Sequence, residues 1–167
     1  MYELAIILVF PALVVFAAAM DFFSMTIPNK VSILLVAGFF CLAPFSPLTM
    51  SGIGLHVAAG LMVLAITIGL FAFGVIGGGD AKLAAAVSLW LGFGHLIDYT
   101  IWTAILGGAL SIALLAFRKM PLPASWIGLE WVQRLHAPKG GIPYGIALAA
   151  AALVVYQESF WYRAILG

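Results

Sequence analysis

Three aspartates, Asp21, Asp80 and Asp98, interrupt an otherwise apolar chain, and two of them stand where they could do chemistry. An aspartate in a lipid-crossing helix costs about 2.5–3.5 kcal/mol at the helix centre and less near an interface, so each asks for a reason. Asp98 opens the string Asp-Tyr-Thr-Ile and reads as an N-cap whose carboxylate accepts an orphaned backbone N–H. Asp21 closes the first apolar run, and Asp80 follows Gly77, Gly78 and Gly79. That glycine run has no side chains, breaks a helix, permits backbone conformations closed to other residues and lets a peptide come close. Two carboxylates brought side by side cannot both ionise cheaply, so they share a proton and titrate as a coupled pair. The charged member can take a proton from water while the neutral member donates to a carbonyl oxygen, which is what amide hydrolysis requires. Acids at helix breaks in lipid also suit a small transporter or channel component that binds a cation or relays protons. In a non-catalytic assembly subunit they would be dispensable.

Either chemistry needs elements that place the acids at one level. The chain has 167 residues, 65% hydrophobic and 8% charged, with a mean hydropathy of +1.21. That is more apolar surface than one water-soluble core encloses, so lipid is its solvent. A spanning helix needs about 20 mostly apolar residues, and charges, Pro and Gly divide the chain into six candidates, 3–22, 31–46, 53–76, 80–96, 98–117 and 143–163. The expected fold is all-α, a polytopic membrane bundle of about six transmembrane helices forming a single domain, 1–167. The start Met-Tyr-Glu lacks a basic region, so the first run reads as a span and not a cleaved signal. With Glu3 outside, the segments 22–30, 77–82 and 118–142 face the cytoplasm and carry Lys30, Lys82, Arg118, Lys119, Arg134 and Lys139, leaving only Arg163 outside. Asp21 and Asp80 then share the cytoplasmic face of a bacterial inner membrane.

A net charge of +1 gives no electrostatic footprint for nucleic acid. Cys41 reads as a small hydrophobe. His56, His95 and His136 are too scattered to converge on a metal, although His95 and Asp98 can meet on the outer side.

Three segments resemble the type IV prepilin peptidases and their preflagellin relatives, within the GxGD class of intramembrane aspartic proteases. Asp21-Phe-Phe-Ser-Met-Thr-Ile27-Pro28-Asn29 is similar to that family's first motif, and Gly77-Gly78-Gly79-Asp80-Ala81-Lys82-Leu83 to its second. Gly141-Ile-Pro143-Tyr144-Gly145 resembles the segment that opens its last helix. The short chain looks most like the subfamily serving Flp-type (tight-adherence) pili. The resemblance implies that Asp21 and Asp80 are the catalytic pair, and that the partner is a prepilin whose basic leader is cut at the cytoplasmic face, alongside the lipid bilayer itself. The chain departs from the family in carrying Phe22, Phe23 and Met25 where basic residues are common. It shows neither the cysteine-bearing region of the large relatives nor a glycine-rich cofactor loop, so N-methylation and a cofactor are not expected.

The neighbouring residues have both structural and functional readings. Pro28 ends the first helix and should hold Asp21 near a fixed edge, with Asn29 capping the next helix. Lys82 either snorkels to headgroups or tunes the acids. Pro143, Tyr144 and Gly145 open the last helix at the same face, where they can line the site. Ser125 to His136 reads as an amphipathic helix capped by Ser125, with Trp126, Ile127, Trp131 and Leu135 sharing much of one face. Gly107, Ser111, Ala84 to Ala86 and Ala149 to Ala152 offer small surfaces for close helix packing.

Overall fold

The computed structural model describes the backbone of residues 2–46, 48–138 and 140–162, with side chains from Ile7 onward. Lys139, Arg163 and the side chain of Glu3, used above to orient the chain, lie outside the described residues. Within them every regular element is helical: α1 Tyr2–Ser24, α2 Asn29–Leu42, α3 Met50–Ala72, α4 Gly78–Leu91, α5 Leu96–Lys119, α6 Glu130–His136 and α7 Gly145–Tyr156. Short 3-10 turns at Ala43–Phe45, Phe93–His95 and Ala124–Trp126 join some of them.

Three segments are long and apolar enough to cross a membrane, Ile7–Ser24, Met50–Ala72 and Phe93–Lys119. The other three expected spans are shorter helices. α4 has 14 residues, about 21 Å at 1.5 Å per residue, against a hydrocarbon core of roughly 30 Å. It stops at Gly92, whose φ of +66° ends the helix, where the apolar pattern had run on to residue 96.

α4 is the centre of the bundle. Leu83 to Leu91 are all buried, packed between α2, α3 and α7, while α1 leans on α2 and α7, and α5 leans on α7. The small residues explain the closeness. Gly60 of α3 sits where a Cβ would lie 3.1 Å from Leu89 Cβ and 3.3 Å from the Ala85 carbonyl, so the α3 and α4 backbones approach tightly. Large apolar side chains of α3 and α5, among them Leu61, Ile66, Phe71, Ile105 and Ile112, point outward. An apolar exterior over a close-packed apolar interior is what lipid as solvent permits.

One end of the bundle is locked by aromatics. Phe10, Phe39, Trp90, Tyr156 and Trp161 pack together. Trp90 Nε1 donates to the Leu35 carbonyl (2.9 Å) and Trp161 Nε1 to the Trp90 carbonyl (2.7 Å), so both indoles are satisfied. His56 Nδ1 lies 2.9 Å from the Leu89 carbonyl, and a Cβ on Gly92 would come within 2.8 Å of the His56 ring. Gly92→Ala therefore combines a left-handed φ with a clash and should lose about 2–4 kcal/mol, read as a lowered unfolding midpoint in detergent. Gly94→Ala, with no atom within 4 Å of its Cβ, should leave the midpoint unchanged.

Two sequence expectations change here. Asp98 is not the cap of α5: the 3-10 turn runs straight into the helix, so His95 takes the N-cap position and Asp98 sits in the first turn, 3.9 Å from His95 Nδ1. The segment 125–136 is not one amphipathic helix. It is a 3-10 turn, then an irregular stretch through Gly128, then α6, which starts at Glu130 with Leu129 and not Ser125 before it. Val132 and Leu135 are buried, whereas Trp126 and Ile127 are exposed.

Candidate functional site

The end opposite the aromatic lock gathers the C-terminus of α1 and the N-termini of α2, α4 and α7. α1 closes with the Met25 N–H donating to the Asp21 carbonyl at 2.8 Å, Met25 taking a left-handed φ of +52°. The chain then extends through Pro28 (φ −62°, ψ 134°) into α2. This turn drives Ile27 inward. A Cβ on Gly79 would lie 3.2 Å from Ile27 Cβ, and one on Gly145 would lie 2.7 Å from Ile27 Cδ1. Ile27 is thus a buried wedge between the first turns of α4 and α7, and the glycines make room for it.

Asp21 is 4% exposed. Its Oδ2 accepts the Gly145 N–H at 2.7 Å, placing the carboxylate on the N-terminus of α7, where it satisfies a helix-end N–H. Pro143 is buried and Tyr144 stands at the N-cap position, so the Pro-Tyr-Gly segment does open this helix, at this end. Tyr144 leans toward α5, its hydroxyl 3.5 Å from the Thr103 carbonyl. It fits only because residue 107 is glycine, since a Cβ there would fall on the Tyr144 hydroxyl.

Asp80 is the third residue of α4, which begins at Gly78. Its carboxylate turns back toward the helix start, with Oδ2 2.9 Å from where a Cβ on Gly77 would be. The glycine run serves space and not backbone freedom: Gly77 has φ −73°, open to any residue, and the left-handed break after α3 falls at Gly74. Gly78 faces the Phe71 ring and Gly79 faces Ile27.

Asp80 also lines a cavity of about 540 Å³ between α3, α4, α5 and α7. Thr67, Ser88, Tyr99, Thr100, Thr103 and Tyr144 give this otherwise apolar cleft its hydroxyls. The Tyr99 and Thr103 hydroxyls are buried in it and face one another. Asp21 and Asp80 lie within Coulombic reach of one another, and among the described residues neither forms an ion pair. A pair of carboxylates at one level, one held on a helix N-terminus and the other facing a cleft, can move protons to and from a bound carbonyl and a water.

Lys82 and Asn29 stand apart from the acids. Asn29 does not cap α2, because Pro28 occupies that position. Instead its Oδ1 accepts a hydrogen bond from Lys82 Nζ at 2.8 Å. The phenylalanines after Asp21 also have a use: Phe22 and Phe23 pack on Trp131 of α6 (5.3 and 5.9 Å), and Arg134 Nη1 donates to the Phe23 carbonyl at 3.1 Å. Arg118 fastens the same segment through the Leu135 and Gly141 carbonyls.

Sequence reasoning names Ile27 only as part of the motif after Asp21, gives no part to Tyr99 or Thr103 in the site, and takes Gly107 only as a small packing surface. On α5 a signal was available: Tyr99, Thr103, Gly107 and Ser111 recur every four residues, a small and polar stripe in an apolar helix. Ile27 had one as well, its place in the Ile-Pro-Asn string after Asp21, although nothing in the string tells that its side chain turns inward.

The model of the type IV leader peptidase family matches residues 8–112 of the chain, which include both acids. No curated protein and no solved structure matches it.

Proposed function

The chain belongs to the type IV leader peptidase family, a family of peptidases, and from that we propose that it is an aspartic endopeptidase that removes the leader of Flp-type prepilins. The observation that carries this reading is the convergence of Asp21 and Asp80 at one end of the bundle, with Asp80 opening on the hydroxyl-bearing cleft. The two carboxylates share one proton. The ionised member takes a proton from the attacking water, and the protonated member donates to the scissile carbonyl oxygen as the tetrahedral intermediate forms. The carboxyl that took the water's proton then passes it to the departing amide nitrogen while the other takes a proton back from a hydroxyl of the intermediate, so the C–N bond breaks and the pair returns to its one-proton state.

The hydrophobic helix of the prepilin would lie along the cleft between α3 and α5, over α4 and α7, so that the bond joining leader to helix meets Asp80 at the mouth. The buried Tyr99 and Thr103 hydroxyls, which face one another, would then turn to the polar groups that helix brings. Gly77, Gly78 and Gly79 let the Asp80 carboxylate, Phe71 and Ile27 close in on the first turn of α4, which sets Asp80 at the edge a substrate peptide would meet, and Pro143, Tyr144 and Gly145 form the facing edge. Lys30, Lys82, Arg118 and Arg134 gather at the acid-bearing end, which supports a cytoplasmic active site in the inner membrane. No methyl transfer is proposed.

The test is direct. The protein, reconstituted in lipid with a Flp-type prepilin, should release the intact leader, identified by its mass. Prepilin that stays full length under conditions where the bundle is folded would end this reading. Topology gives a separate check: reporters fused after residues 50 and 130 should report outside and inside respectively, and an outside signal at 130 would remove the cytoplasmic site.

A further inference from the structure

A second cleft, of about 740 Å³, lies between α2 and α3 over α4. It contains neither aspartate. Lys82 follows Asp80 by two positions, which at 3.6 residues per turn is about 200° around α4, so the two side chains leave opposite faces of the helix. Three features of this cleft are ordered by depth. At its mouth is the Lys82 ammonium, exposed and bonded through one N–H to Asn29 Oδ1, leaving two donors. One turn deeper along α2, about 4.5 Å at the helical rise, is Ser32. Its hydroxyl is buried, lines the cleft and has no hydrogen-bond partner among the described residues, whereas Ser24, Thr67, Ser88, Thr100 and Ser111 all donate to the carbonyl four residues before them. Beyond Ser32 the lining is hydrocarbon, through Val36 and Ala37 to Phe40 on α2 and Leu61 and Leu64 on α3.

We propose that this cleft is a binding site for one anionic glycerophospholipid of the leaflet on the Lys82 side, with its phosphate on Lys82, an ester carbonyl on Ser32 and an acyl chain along the groove. The order of the protein groups matches the order of groups in such a lipid: anion, then hydrogen-bond acceptor, then hydrocarbon. The length matches as well. From Asn29 to Phe40 the groove runs about 16 Å along α2, close to half of a roughly 30 Å hydrocarbon core, which suits one leaflet's chain and is too short for a partner's spanning helix. A bound lipid would supply the acceptor that Ser32 lacks among the described residues, and a charged oxygen for an ammonium that among them meets an amide.

Native mass spectrometry of the full chain released from detergent, with phosphatidylglycerol or phosphatidylcholine of identical chains added, tests the proposal. The parent should hold one phosphatidylglycerol at a concentration at least fivefold below that needed for phosphatidylcholine. Lys82→Gln should erase that preference, and Ala37→Trp, which fills the groove from an exposed position on α2, should reduce both adducts at least fivefold. Inorganic phosphate at millimolar concentration should displace neither lipid. Equal retention of the two lipids by the parent, unchanged retention by Ala37→Trp, displacement by phosphate alone, or a dimer in place of a lipid adduct would each overturn it. Should Lys82→Gln fail to fold by circular dichroism, the parent's lipid preference and Ala37→Trp decide between these outcomes.

Discussion

Asp21→Asn and Asp80→Asn will each slow leader removal by at least about 10³-fold, while the variants insert and unfold at midpoints close to the parent's. An amide keeps the shape of the carboxylate and, at position 21, still offers an oxygen to the Gly145 N–H, so the bond that ties α1 to α7 survives the change. What it cannot do is exchange a proton at neutral pH. General acid–base catalysis contributes about 10²–10⁴-fold per group, and in the proposed mechanism the two groups work as one unit through a shared proton. The double variant should therefore be little worse than either single one, because the second substitution removes a partner already disabled. The same sharing predicts a bell-shaped pH profile: activity falls on the acid side where both carboxyls are protonated and no base is left, and on the alkaline side where both are ionised and no acid is left. Both limbs should vanish into a uniformly low rate in each Asn variant. Leader removal at the parental rate by either variant would mean that the acids serve another purpose, such as cation binding.

Gly145→Ala should cost about 10²-fold in the same assay although it changes no chemical group of the acid pair. A Cβ at this position would lie 2.8 Å from Asp21 Oδ2, 3.1 Å from its Cγ and 2.7 Å from Ile27 Cδ1. Contacts this short cannot persist, so the Asp21 carboxylate, the Ile27 wedge or the start of α7 must move. Each movement breaks or bends the hydrogen bond that aims Asp21. A displacement of about 1 Å at a reacting group costs on the order of 10²-fold. Gly108→Ala makes the comparison fair: its Cβ meets nothing within 4 Å, alanine favours the helix, and the variant should cleave like the parent. If Gly145→Ala also cleaves like the parent, the bond from α7 to Asp21 does not set the geometry of the reaction.

The long helices could be read from the chain itself. α1, α3 and α5 follow apolar runs of spanning length, and lipid leaves such a run few options besides a helix that satisfies its own backbone. The short helices were harder, because where α2, α4 and α7 stop depends on turns such as that at Gly92 and on packing at the bundle ends, not on hydropathy. Caps misled for the same reason. Asn29 and Asp98 are good capping residues by type, yet Pro28 and His95 took those positions, and Asn29 was drawn instead to Lys82. The glycines before Asp80 were noticed for their backbone freedom, whereas the folded chain uses them for the room that Phe71, Ile27 and the Asp80 carboxylate occupy.

By itself, then, the sequence determined that this protein is a set of apolar helices in lipid with acids and glycines near their ends, since backbone hydrogen bonding and transfer into hydrocarbon are local properties of each segment. Only the tertiary structure decided that Asp21 meets an N–H 124 positions away, that Ile27 separates α4 from α7, and that Asp80 and Lys82 serve different clefts. In water, a polar face tells which side of a helix turns outward. Here both sides are apolar, so the choice falls to the fit of small residues against large ones between helices, which no single segment carries.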